Sequence, residues 1–145
     1  MQPLPHHYRV RARAGGSGEV ILSSDGAADL PSQSPPEFGG PPGYWTPESL
    51  LVAAIADCFV LTFRAIARAR ALAWQALDVE VEGVLEKTPE GIRYTRFDVH
   101  ARLVIAVAGD VEVATGLLHK AEHSCLISNS LNGRRELHAH VDVAA

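Results

Sequence analysis

Two residues of this 145-residue sequence are of a type that could carry redox chemistry, Cys58 and Cys125, and Glu48 stands ten residues before the first. The chain has only two cysteines. A thiolate is the nucleophilic form of cysteine, and oxidation carries it to sulfenic acid or disulfide. Burial opposes that ionisation unless a cation or hydrogen-bond donor stabilises the charge. The ordinary fate of a buried cysteine is a small core hydrophobe. Sequence spacing alone leaves both readings open, and nothing in it says that the two cysteines meet. A second possible chemistry is metal binding. His138 and His140, two apart on a strand, point the same way and could join His123, His100 or a cysteine. No compact ligand cluster appears, so no metal or cofactor site is expected. Gly15-Gly16-Ser17-Gly18 lacks the following helix and Lys-Ser/Thr pair of a phosphate loop, and there is no Gly-x-Ser-x-Gly elbow.

The element that must position Cys58 is the stretch Thr46–Arg70, which reads as one long helix. Thr46 is an N-cap, Pro47 takes the first helical position, and Glu48 puts negative charge in the first turn. From Leu50 to Phe63 the only charge is Asp57, so the helix is expected to be buried on most sides. The run reads as too short and too interrupted for a membrane span. Glu48 and Cys58 lie ten residues apart, a rise of about 15 Å along a helix. A site using both needs a second copy of the chain or a break in the helix.

The remaining elements follow from alternation and turn residues. Tyr8–Ala14 alternates, with Arg9, Arg11 and Arg13 on one face, and predicts a half-buried strand. Glu19–Ser24 returns as its hairpin partner across the glycine turn. Gly26–Tyr44 is a long Pro/Gly-rich loop. Phe38, Tyr44 and Trp45 would anchor it, either by packing on the core or by lining a pocket for an apolar ligand. Leu77–Glu86 and Tyr94–Val107 predict an antiparallel hairpin around Thr88-Pro89-Glu90-Gly91, with Gly83 as a bulge position. Asp110 would cap a helix from Val111 to about His123. Cys125 follows it, then the turn-like Ser128-Asn129-Ser130 and a last strand, Leu137–Val143. The order of elements is that of an α+β domain, and a single domain over residues 1–145 is expected.

Composition narrows the function classes. Apolar residues make up 47% and charged residues 21%, as in a soluble globular protein. A net charge of −4 argues against a nucleic-acid-binding surface. No secretory h-region opens the chain, and two distant cysteines suit a reducing compartment, so a cytoplasmic protein with no membrane partner is expected.

Four motifs together resemble the OsmC/Ohr family of thiol-dependent hydroperoxide peroxidases. They are Thr46-Pro47-Glu48-Ser49-Leu50-Leu51; Ala53-Ala54 through Cys58-Phe59; Ala121-Glu122-His123-Ser124-Cys125 with Leu126-Ile127-Ser128-Asn129-Ser130-Leu131; and Ser23-Ser24-Asp25-Gly26. The resemblance implies curved antiparallel sheets around two central helices in an intertwined homodimer. It also implies a peroxidase that reduces organic hydroperoxides to alcohols through a Cys58 sulfenic acid and a Cys58–Cys125 disulfide, with Glu48 in the site and an external dithiol as reductant. Phe38, Tyr44 and Trp45 would face the substrate. One departure stands out. Ser17 occupies the position of the arginine that follows the paired glycines in the Ohr branch, and no arginine occurs between Arg13 and Arg64. Arg9, Arg11, Arg13 or His123 are the candidate replacements. Without one, the competing reading is a non-catalytic dimeric module of the same fold that binds an apolar small molecule.

Overall fold

The computed structural model describes residues 2–145, which form two compact units divided between Leu51 and Val52. The first holds a three-stranded antiparallel sheet in the order β1 (Arg11–Arg13), β2 (Val20–Ser23), β3 (Leu30–Ser32). β1 is shorter than the alternation predicts and is exposed on both faces rather than half-buried. Tyr8 and Val10, its expected apolar face, are 88% and 70% exposed, so this face gains nothing from extending the ladder. β3 is an element that the sequence hides inside the Pro/Gly-rich loop. Pro31 pairs with Ile21 at the sheet edge, a place that tolerates a residue without an N–H. The same loop then forms a 3-10 turn at Pro36–Phe38 and returns as a bridge between Ser32 and Trp45.

Helix α1 spans Pro47–Ala69, as the caps predict. Its start is a reciprocal box. The Ser49 N–H donates to Thr46 Oγ1 at 3.1 Å, and the Thr46 N–H donates to Ser49 Oγ at 2.9 Å. Serine thus does here what glutamate does in the usual capping box. The expectation of burial on most sides is corrected. One row is buried, Ile55, Phe59, Phe63 and Ala67, while Leu61 is 52% exposed. The reason is that the chain packs only one face of the helix, the one that carries this row. Phe63 sets its ring edge-on to Trp74 at 5.5 Å, and Val52 reaches Gly83. The length argument against a membrane span is also corrected. At 23 residues, with a mean hydropathy of 2.1 over its most apolar window, α1 is long and apolar enough to cross one. Core helices of soluble proteins meet the same length and composition.

The second unit is built on a sheet in the order β4 (Trp74–Thr88), β5 (Gly91–Ile105), β6 (Arg134–Val143). β4 and β5 form the expected hairpin, with Thr88 opposite Gly91 at the turn. Gly83 is in regular register opposite Phe97; the irregularity falls beyond it, where Thr95 is skipped between Val84 and Leu85. What requires glycine at 83 is closeness, since a Cβ there would stand 2.8 Å from the Tyr94 ring and 2.9 Å from Val52. β6 pairs with β5 in parallel, so this sheet is mixed rather than wholly antiparallel. Helix α2 (Val111–Ser124) makes the crossover that a parallel pair needs. Asp110 stands at its N-cap position without a side-chain capping bond. The core between helices and sheet is Phe97, Val99, Ala101, Leu103 and Ile105 on β5 with Ala114, Leu117, Leu118 and Ala121 on α2. After α2 the chain runs extended through Cys125 and turns into α3 (Leu126–Asn129), one helical turn where the sequence suggested an irregular one.

Candidate active site

The two cysteines come together within the second unit. Cys58 projects from the middle of α1, half-buried, and Cys125 is fully buried at the junction of α2 and α3. Their side chains are within hydrogen-bonding reach of each other, and both are free thiols. Local sequence explains the junction. The chain leaves the α-helical region at Cys125 (φ −67°, ψ 110°) and re-enters it at Leu126. The first N–H groups of α3 therefore have no acceptor in their own helix. The N–H groups of Ile127 and Leu126 are directed instead at the Cys58 sulfur.

Those donors decide the acid–base balance. Burial pushes the Cys58 thiol up, but the Ile127 N–H, the Cys125 side chain, the Thr62 hydroxyl and the Leu126 N–H together hold it below its ordinary value. Thr62 lies one turn along α1, its Oγ1 3.9 Å from the sulfur. Cys125 moves the other way. Burial raises it, the Ser128 hydroxyl and N–H offset part of that, and neighbouring Cys58 raises it further. The Ser128 hydroxyl donates to Cys125 Sγ at 3.2 Å. The arrangement thus makes Cys58 the readier thiolate and Cys125 the proton-bearing partner.

The turn is locked by the residues around it. Asn129 Nδ2 donates to the His123 carbonyl at 3.0 Å, Arg135 donates to Asn129 Oδ1 at 2.8 Å, and Ser130 Oγ donates to the Leu126 carbonyl at 2.9 Å. Arg135 Nε also pairs with Glu122 at 3.1 Å. Beside Cys58 opens a groove of about 660 Å³, walled mainly by Ala54, Leu61, Ala65, Ile66, Leu126 and Ile127. Asp57 and Lys120 are its charged members.

The other sequence candidates stand elsewhere. Glu48 is in the first turn of α1, a rise of about 15 Å from Cys58 along the continuous helix. Phe38, Tyr44 and Trp45 belong to the first unit and are exposed, and the Tyr44 hydroxyl donates to Glu19 at 2.9 Å. None of the three is part of the groove wall. His123 is exposed, with Nδ1 3.2 Å from Glu122 and 3.1 Å from the His119 carbonyl. Arg13 faces Asp29 at 3.9 Å in the first unit. The donors to Cys58 that sequence reasoning missed are a backbone pair and a threonine. Thr62 was findable, since position i+4 shares a helix face; the amides were not, because an N–H direction has no residue type.

The sequence model of the family described as OsmC-like protein matches residues 40–138. The chain belongs to the OsmC-like family. This OsmC-like protein is 29% identical over 143 residues to the uncharacterised protein YmaD of Bacillus subtilis, spanning 95% of each chain. It is 32% identical over 130 residues to an organic hydroperoxide resistance protein of Xanthomonas axonopodis, covering 87% of this chain and 88% of that one. Its fold matches that of an OsmC-like protein of unknown function from Vibrio cholerae with a TM-score of 0.86 at 17% identity, over 93% of this chain and 99% of the other.

Proposed function

We propose that this OsmC-like protein, acting as a single domain, is a thiol peroxidase that reduces organic hydroperoxides. The observation that carries the reading is the opposed poise of two adjoining thiols, with Cys58 lowered by amide and hydroxyl donors and Cys125 raised by burial. The likeness to a hydroperoxide resistance protein supports the substrate class. The Cys58 thiolate attacks the distal oxygen of the hydroperoxide. The S–O bond forms as the O–O bond breaks, and the departing alkoxide takes up a proton to leave as alcohol. The Cys125 sulfur then attacks the Cys58 sulfenic acid and expels water, closing a disulfide that an external dithiol reduces by exchange. The apolar groove beside Cys58 favours an organic substituent over hydrogen peroxide itself. In this reading the Ile127 and Leu126 amides supply the stabilisation that a cation would otherwise give.

The exposed apolar residues of α1 suit a second copy of the chain, and Glu48 of one copy serving Cys58 of another in a homodimer resolves their separation along the helix. Thiol counting by intact mass after one equivalent of cumene hydroperoxide tests the reading. The expected result is rapid loss of two thiols, with sulfenic acid trapped in the Cys125→Ser variant. Two thiols surviving excess peroxide would overturn it and leave the groove as a binding site for an apolar molecule.

A further inference from the structure

The outer face of the β4–β6 sheet, away from the cysteines, carries an ordered grid of charges. Register places Glu82, Asp98 and Glu136 in one row across the three strands, and Glu80, His100 and His138 in the next. Three carboxylates side by side repel one another, and one guanidinium answers them: Arg96 Nε holds Asp98 Oδ2 at 2.7 Å. Asp98 is buried among these neighbours. One of its oxygens is fixed by Arg96, and the other, Oδ1, is turned toward His138.

From these residues we infer a site for a divalent first-row transition ion, zinc foremost, formed by Asp98 of β5 with Glu136 and His138 of β6. His138 Nε2 lies 3.7 Å from Asp98 Oδ1 and 4.0 Å from Glu136 Oε1. One ligand atom from each residue falls within 4.8 Å of the other two. These separations are too long for hydrogen bonds. Two ligands sharing an ion at about 2.1 Å stand about 3.0 to 3.4 Å apart. Glu136 and His138 are exposed, so rotation of their side chains closes the gap while Asp98 stays fixed. A carboxylate oriented by a second group is the arrangement that raises ligand quality. His138 is steadied as well, stacked on His100 with ring centroids 4.5 Å apart and planes within 11°. Mixed imidazole and carboxylate donors select the transition ions over calcium and magnesium. Because the ligands come from both strands of the parallel pair, the ion would clip β6, the edge strand, onto β5. This site is independent of the cysteine chemistry.

The test uses the untagged full chain with Cys58→Ser and Cys125→Ser, so that thiols do not compete. Zinc is titrated calorimetrically, and cobalt is followed by its visible spectrum. One equivalent is expected to bind and to raise the melting temperature. Glu136→Gln and His138→Ala should each weaken binding at least tenfold with unchanged circular dichroism, whereas His140→Ala should leave it intact. No binding, or binding that survives His138→Ala and is lost with His6→Ala/His7→Ala, would overturn the assignment.

Discussion

Cys58 and Cys125 are the same residue type in adjoining places, yet their surroundings drive them in opposite directions. Both are desolvated, which alone would raise both thiols. Cys58 faces the open N-terminal turn of α3 and collects two backbone donors and a threonine hydroxyl. Cys125 lies behind that turn, where Ser128 is its main donor. Burial therefore does not decide which sulfur ionises. The direction of a few N–H groups does, and those directions follow from one extended residue between two helices. In this arrangement the Cys58 thiol is furnished with the positive ends of backbone dipoles.

That contrast can be broken at its extremes first. Cys58→Ser should abolish hydroperoxide turnover in a coupled dithiol assay, while Cys125→Ser should retain a single stoichiometric turnover and then stall for want of the disulfide step. Equal behaviour of the two variants would remove the asymmetry. Ile127→Pro sharpens it. Proline deletes the amide donor in the first turn of α3, where no intrahelical hydrogen bond is lost. Loss of a hydrogen bond to a charged group should raise the Cys58 pKa, read from thiolate ultraviolet absorbance, with Ile127→Ala near wild type. The pH dependence of alkylation carries the same sign. Cys58 reactivity should climb with pH and level off below the ordinary thiol range, with the plateau displaced upward in Ile127→Pro. Thr62→Val should give the smallest change, a shift in the same direction and smaller than that of Ile127→Pro, because its hydroxyl stands 3.9 Å away.

How much of this was legible in the sequence depends on the kind of signal. The boundaries of α1 were, because Thr46 and Pro47 fix its start through local bonds. The long β4–β5 hairpin was, because alternation and the Thr88–Gly91 turn are both local. β3 was not, since Pro31 reads as loop until an edge partner is known. The parallel pairing of β6 was not, since direction depends on where α2 sets the chain down. Gly83 read as a bulge, whereas packing against Tyr94 and Val52 is what requires it. At the site, Cys58 and Cys125 were singled out by residue type and family resemblance, and the fold brings them together. The aromatic trio Phe38, Tyr44 and Trp45 was singled out as apolar anchors, and its side chains are exposed in the first unit. The amides of Leu126 and Ile127 were invisible, as backbone donors always are before the dihedrals are known.

The most direct test of the opposed poise is a pair of thiolate titrations by ultraviolet absorbance, Cys58 in the Cys125→Ser variant and Cys125 in the Cys58→Ser variant. Serine keeps a hydroxyl donor beside Cys58 in the first variant, and in the second burial, the largest cause, still raises Cys125. Cys58 is expected to ionise below the ordinary thiol range and Cys125 above it. Coincident titrations, or Cys125 ionising first, would contradict the account.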